Sequence, residues 1–199
     1  MFVQVIRGKV KDPSAMQGRL DAWKRDLGPG AKGWLGATMG TTDDGTYINV
    51  VRFESEDAAK ANSERPEQGQ WWQETEKLFD GPVTFYNCPR VELFRDGGSD
   101  QAGFVQVMVF KPSDVDKIVA LNKEFEKVAD QRPDILGGVQ AIATDGTVID
   151  TNYFTSEAAA RQGESMDMPP EMQKTFAEFQ KVAGDTEFID LKNPTLMSP

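Results

Sequence analysis

The sequence predicts an α+β protein built of two tandem β-α-β-β-α-β units. Three observations carry this. Phe2-Val3-Gln4-Val5 returns unchanged at residues 104–107, an offset of 102. Residues 44–60 realign on 145–161 at an offset of 101, with nine of 17 positions identical. Within each half, short runs of β-formers alternate with segments whose apolar residues recur every three to four positions. The offset is far longer than the roughly 20–50 residues of a solenoid repeat. The chain is therefore expected to be one domain written twice: residues 1–95 and 104–192, joined by a polar, glycine-rich linker at 96–103 and followed by an extended tail at 193–199.

The elements follow in order. Residues 2–6 are short, apolar and β-prone, a first strand. Asp12-Pro13 starts a helix, with Asp as N-cap and Pro at the first helical position. Met16, Leu20, Trp23 and Leu27 lie on one face of it, and Gly28-Pro29-Gly30 ends it. Residues 34–42 form a second strand, Asp43-Asp44-Gly45 a hairpin turn, and residues 47–53 a third strand. Ser55 caps a short helix with Glu56 and Asp57 in its first turn, where the helix dipole favours negative charge. Pro66 breaks it and opens another helix carrying Trp71, Trp72, Leu78 and Phe79. Residues 83–94 supply a fourth strand.

The second half repeats the order. Residues 104–110 form a strand, and Ser113 caps a helix with Ile118, Leu121, Phe125 and Val128 on its inner face. Strands run to Thr144 and over 147–154, around Asp145-Gly146. Ser156 starts a helix broken at Pro169-Pro170. The next helix turns Met172, Phe176, Phe179 and Val182 inward, and residues 187–191 close the unit. This order is the split βαβ, or ferredoxin-like, arrangement, with both helices on one face of an antiparallel sheet. The strand period of two puts Val3 and Val5 on one side of the sheet and Phe2, Gln4 and Ile6 on the other. The valines are expected toward the helices. Both sides are apolar, so both are expected to be buried, with the two sheets packed face to face.

Composition bounds the function classes. The chain is 39% apolar and 27% charged, with a net charge of −10. That is a globular composition, and it lacks the clustered positive footprint that nucleic acid or an anionic membrane requires. Cys88 is the single cysteine, so no internal disulfide framework is possible, which fits a reducing compartment. At a strand end, with no histidine to lower its pKa, Cys88 is read as structural. The N-terminus enters a strand at once, and no run approaches the ~18–20 apolar residues of a membrane span. A cytoplasmic protein is expected.

The duplicated unit, its broken second helix, a tryptophan on that helix and strands apolar on both sides resemble the dimeric α+β barrel superfamily. Within it the chain is most similar to antibiotic-biosynthesis-monooxygenase domains. The resemblance implies a barrel that relatives form as dimers and that the fused halves form within one chain, as a monomeric pseudo-dimer or as part of a homodimer. Such proteins include cofactor-independent monooxygenases of polycyclic aromatics and haem-degrading enzymes. The haem-degrading branch carries a tryptophan on the second long helix, matched by Trp71 or Trp72. It also uses a histidine on that helix and an asparagine on the first strand. This chain has no histidine, and its first strand offers Gln4.

The lack of histidine also removes Ser-His-Asp and Cys-His nucleophile systems and the usual zinc ligand sets. No metal or other cofactor is expected, and no catalytic residue stands out. Residues 28–33 spell GxGxxG, but a helix precedes them and a strand follows, the reverse of a dinucleotide site. Gln4 and Gln106 are equivalent, as are Asn49 and Asp150. These polar mid-strand residues are read either as a polar patch in a ligand cavity or as partners of one another across the halves. Trp23, Trp34, Trp71, Trp72 and Phe79 are confined to the first half; they are core packing or the wall of a cleft. Trp71 and Trp72 are adjacent, so at least one is expected in a different environment. Arg52 is either a group that holds an anion beside that cleft or a solvated strand-edge arginine. The candidate ligand-binding set is therefore Trp23, Trp34, Asn49, Arg52, Trp71, Trp72 and Phe79. The leading expectation is a protein that at most binds a small apolar or aromatic molecule in the first half. The alternatives are a cofactor-independent monooxygenase of an aromatic substrate and a structural or interaction module without a ligand.

Overall fold

A computed structural model describes residues 1–199, except the side chain of Glu171. Two compact units divide the chain: Met1–Arg90 together with Pro194–Pro199, and Val91–Asn193. The first is built from β1 (Phe2–Lys9), α1 (Pro13–Asp26), β2 (Trp34–Thr41), β3 (Thr46–Phe53), α2 (Glu56–Ser63), α3 (Pro66–Glu76) and β4 (Thr84–Cys88). The second holds β5 (Arg90–Phe94), β6 (Phe104–Phe110), α4 (Val115–Glu126), β7 (Ile135–Ile142), β8 (Val148–Phe154), α5 (Glu157–Glu164), α6 (Pro170–Ala183) and β9 (Thr186–Leu191). A last strand, β10 (Thr195–Met197), returns to the first unit.

Local signals place the helices. The Asp12 carboxylate accepts from the Ala15 N–H at 3.0 Å, and Ser55 Oγ accepts from the Ala58 N–H at 3.1 Å. Each satisfies one of the orphan donors of a first helical turn. Pro66 sits at the start of α3, where its missing N–H costs nothing. In the second half the cap is Asp114, not Ser113: its carboxylate accepts from the Lys117 N–H at 2.9 Å. A carboxylate there also gains from the helix dipole. Leu78, Phe79 and Val128 lie beyond the ends of their helices. Phe79 instead bridges Val10 in antiparallel pairing.

Each sheet has five strands, in the orders β10-β2-β3-β1-β4 and β5-β7-β8-β6-β9. Without the outermost strand beside β2 or β7, both are the ferredoxin-like order. The segment expected as one fourth strand, 83–94, is two. Pro89 has no N–H to continue a ladder, so β4 ends at Cys88 and β5 joins the other sheet. The tail expected at 193–199 supplies β10, whose Thr195, Leu196 and Met197 pair with Met39, Thr38 and Ala37.

The facing of the sheet is the reverse of the expectation. Phe2 packs in the cluster that holds Met16 and Leu20 of α1, together with Tyr47 and Phe53 of β3. Phe2, Gln4 and Ile6 therefore look toward the helices, and Val3 and Val5 look away. The away face is buried too: Val3, Val5, Ile48 and Val50 have no exposed surface. The second unit agrees, with Met108 and Phe110 against Ile118 of α4. Alternation specifies which residues share a face. It does not specify which face receives the helices when both are apolar. Large side chains span the gap to a helix layer, and the compact valines fill the other side. Phe176, expected inward on α6, is 39% exposed and meets Phe125 only edge-on, at 6.5 Å.

Gly36 lets β10 dock. Its φ is +129°, at a register shift in β2, and a Cβ there would stand 2.6 Å from the Met197 carbonyl oxygen. Gly36→Ala is expected to destabilise the protein by about 1–3 kcal/mol. Gly18→Ala, at an exposed position inside α1 with nothing within 4 Å, is expected to stabilise it by about 0.5–1 kcal/mol. Urea denaturation midpoints read both; a neutral Gly36→Ala would contradict the close approach.

Candidate functional site: an aromatic-walled cavity in the first unit

The helix-facing side of the first sheet does not close completely against α1 and α3. Between them lies a cavity of about 80 Å³, as traced by the centre of a water molecule. It opens outward, and the whole indentation, open solvent included, measures about 710 Å³. Alternation on β3 brings Tyr47, Asn49, Val51 and Phe53 to its floor, beside Gln4 and Ile6 of β1 and Trp34, Ala37 and Met39 of β2. Met16, Leu20 and Trp23 cover it from α1, and Gln68, Trp71, Trp72 and Thr75 from α3. Phe79, Met197 of β10 and, from α2, Asn62 and Ser63 complete the wall.

Each tryptophan is fixed differently. Trp23 donates its indole N–H to Gln68 Oε1 at 2.7 Å and meets Trp34 edge-on, with ring centroids 5.1 Å apart. Trp71 donates to the Arg19 carbonyl at 3.1 Å. The Arg19 guanidinium lies over the Trp71 ring at 5.4 Å and donates to the Trp71 carbonyl at 2.8 Å and to Thr75 Oγ1 at 3.2 Å. That clamp ties α1 to α3. Trp72 turns the other way, 6.1 Å from Phe79 and 5.2 Å from Phe85. The adjacent tryptophans thus have different neighbours, yet both reach the cavity.

Of the residues singled out in the sequence, Trp23, Trp34, Asn49, Trp71, Trp72 and Phe79 line this cavity, and Arg52 does not. Arg52 is on the opposite face of β3, a central strand, and is only 8% exposed. It donates to Thr38 Oγ1 at 3.0 Å. It is neither beside the cleft nor a solvated edge residue. Tyr47 and Gln68 belong to the lining and were not singled out. Tyr47 shares the alternation of Asn49, which was a usable signal. Gln68 carried none.

The lining contains no Asp, Glu, Lys, Arg or Cys. Its one titratable group, the Tyr47 phenol, is pushed up by burial, partly offset by a hydrogen bond with Asn49. Tyr47 is therefore neutral at physiological pH. Two buried polar atoms in the wall lack a partner: Trp34 Nε1 and Asn49 Oδ1. Buried polar groups are nearly always paired, so each such atom calls for an explanation. Among the described residues, no group of three His, Cys, Asp or Glu side chains could hold a metal ion.

The second unit answers the same position differently. Gln4, Gln106 and Asp150 find partners within their own units. Gln4 donates to Asn87 at 3.0 Å, and Gln106 donates to Asp190 at 3.0 Å. Asp150 receives Asn122 Nδ2 at 3.1 Å and Gln140 Nε2 at 3.4 Å. Burial raises the Asp150 carboxyl to about 6, against the smaller opposing effect of those two donors.

A raised carboxyl pKa means that the folded state holds the proton more tightly than the unfolded one. The stability it contributes is complete below about pH 4 and is lost as pH rises through about 6. Asp150→Asn mimics the residue of the first unit and has nothing to ionise. The variant is expected to gain up to about 3 kcal/mol on the wild type between pH 4 and pH 7.5. Denaturant unfolding at a series of pH values measures this, and a pH-independent difference between the two proteins would contradict it.

No known family profile matches the chain, and no curated protein matches it in sequence. Solved structures do match it in fold. A candidate monooxygenase from Fusobacterium nucleatum superposes with a TM-score of 0.79 at 9% identity, over 99% of this chain and 94% of that one. A candidate monooxygenase from Lactobacillus acidophilus gives 0.72 at 10% identity, over 99% of both chains. An anthrone oxidase-like protein gives 0.71 at 12% identity, over 99% of this chain and 92% of that one. The likeness runs through both units, so this chain shares its tandem ferredoxin-like fold with these proteins.

Proposed function

We propose that the first unit binds a small, largely apolar aromatic molecule in the cavity between its sheet and α1 and α3. The observation that carries this is the wall itself. Seven aromatic side chains, Trp23, Trp34, Tyr47, Phe53, Trp71, Trp72 and Phe79, surround open space rather than filling it. Interiors are close-packed, and an unfilled apolar cavity forfeits contacts its lining could make. A concave, mostly apolar site with a few convergent polar groups is the usual form of a small-molecule pocket. Every lining residue belongs to the first unit, so the site needs no second chain.

A second reading is a cofactor-independent oxygenation of such a molecule. It is favoured by the fold shared over the whole chain with candidate monooxygenases. The lining has no acid or base of its own that ionises near neutral pH, so on this reading the substrate would have to enter as an already electron-rich, readily ionised hydroxyarene. The cavity would orient it and exclude water.

Tryptophan fluorescence tests the binding reading, because four indoles surround the site. Titration with one- and two-ring aromatics is expected to quench saturably. Trp72→Ala is expected to weaken that binding at least tenfold while leaving the far-ultraviolet circular dichroism unchanged. No saturable quenching by any member of the panel would overturn the binding reading. Oxygen uptake with hydroquinones and anthrones separates the enzyme from the binder: turnover lost in Trp72→Phe supports oxygenation, and binding without turnover removes it.

A further inference from the structure

We infer that the cavity holds its aromatic ligand by a hydrogen-bond acceptor on the ring system, such as a carbonyl oxygen, seated on the amide N–H groups of Asn62 and Gln68 where α2 gives way to α3. This rests on the proposed binding of an aromatic molecule and specifies which end of the cavity takes its polar atom, and with what polarity.

A side-chain amide carries an acceptor oxygen and two N–H donors, and its neighbours decide which way round it sits. The Gln68 oxygen accepts from the Trp23 indole N–H at 2.7 Å, and an indole can only donate. The Asn62 oxygen accepts from the Arg65 guanidinium at 3.0 Å, and a guanidinium can only donate. Neither amide can be turned over without setting donor against donor. Each therefore keeps its NH2 group for something else. Gln4 is the contrast. Its amide meets that of Asn87 at 3.0 Å, and both could be reversed together at no loss, so that pair fixes no polarity.

Among the described residues, neither NH2 group has an acceptor, and neither is sealed in the way that Trp34 Nε1 and Asn49 Oδ1 are. Asn62 is only 7% exposed, Gln68 is half-buried, and both residues line the cavity. Gln68 sits in the first turn of α3, which has no side-chain cap, so the positive end of the helix dipole adds to the same polarity. An acceptor is favoured at this end, and a further donor is not.

The second unit shows that the fold does not need these amides. Asn62 stands seven residues after the Ser55 cap of α2, and Gly163 seven after the Ser156 cap of α5. Gln68 is two residues after the opening Pro66 of α3, and Met172 two after Pro170 of α6. The partner of Gln68 changes with it: Trp23, eleven residues after the Asp12 cap, is answered by Phe125, eleven after Asp114. The two amides belong to the copy that has the aromatic-walled cavity.

Isothermal titration at pH 7.5 with indane and 1-indanone, bicyclic probes that differ by one carbonyl oxygen, tests this. A satisfied acceptor is expected to make 1-indanone bind about threefold to tenfold more tightly than indane. Gln68→Glu keeps an oxygen for Trp23, and Asn62→Asp keeps one for Arg65; each replaces only the NH2 group. The ratio of the two affinities should fall to about one or below in one or both variants, whereas a purely structural role for the amides would leave it unchanged. In the wild type, the side-chain amide protons of Asn62 and Gln68 should move downfield in the NMR spectrum with 1-indanone beyond any shift that indane causes. A wild-type ratio of one, a ratio that survives in both variants, or amide signals that answer both probes alike would overturn the inference and leave aromatic binding intact. No binding by either probe would overturn both.

Discussion

Both faces of the central strands of each sheet are buried, and that constraint organises the molecule. A strand whose two faces are buried sorts its residues by alternation, with no solvent side on which to place a misfit. On β3, Tyr47, Asn49, Val51 and Phe53 go under the helices, and Thr46, Ile48, Val50 and Arg52 go to the other face. Asn49 enters the cavity and Arg52 is excluded from it by the same rule, three residues apart. A one-residue slip of β3 would exchange the two sets. The paired registers of β1 and β2 with β3 hold it in place.

The second consequence concerns polar groups. Where neither face of a sheet is wet, a mid-strand polar side chain cannot default to water. The chain shows two answers at equivalent positions. Around Asp150 it gathers the amides of Asn122 and Gln140, leaving Gln140 Oε1 without a partner. Around Asn49 it places the Tyr47 phenol and the apolar Met39 and Ile6. The helix layer differs in the same sense. The second unit presses Phe110, Phe125 and Phe179 together edge-on, with centroids about 6 Å apart. The first props its tryptophans outward: Trp71 is held by Arg19 on one side, and Trp72 is drawn toward Phe79 and Phe85 on the other. Duplication thus separates what the scaffold requires from what one copy adds to it.

Most of the topology was legible in the sequence, because it rests on local signals: caps at Asp12 and Ser55, helix starts at Pro13 and Pro66, a turn at Asp44-Gly45, and apolar spacing between them. The aromatic wall was legible as well, as an excess of tryptophan confined to one half. The facing of the sheet was not, since Phe2 and Val3 are both apolar and periodicity has no sign. Arg52 was a different case: three residues from Asn49 on β3, it has the opposite parity, so alternation already separated the two. Adjacency suggested that Trp71 and Trp72 would part company. It did not reveal a cavity broad enough for both long side chains to flank. Pro89 was a usable signal for the break between β4 and β5, although residues 83–94 were expected as one strand. The return of β10 to β2 had no local signal at all, since three residues pair with a strand more than 150 positions earlier. Asp114 displaced Ser113 as a cap because both are good caps and only geometry separates neighbours.

The account stands or falls on whether the space among the tryptophans is a site or an unfilled gap. A crystal structure of the protein grown with a two-ring aromatic such as 2-naphthol decides it most directly. The account predicts one molecule between Trp23 and Trp34 on one side and Trp71 and Trp72 on the other. Side chains collapsed into that space, or the probe bound elsewhere, would contradict it.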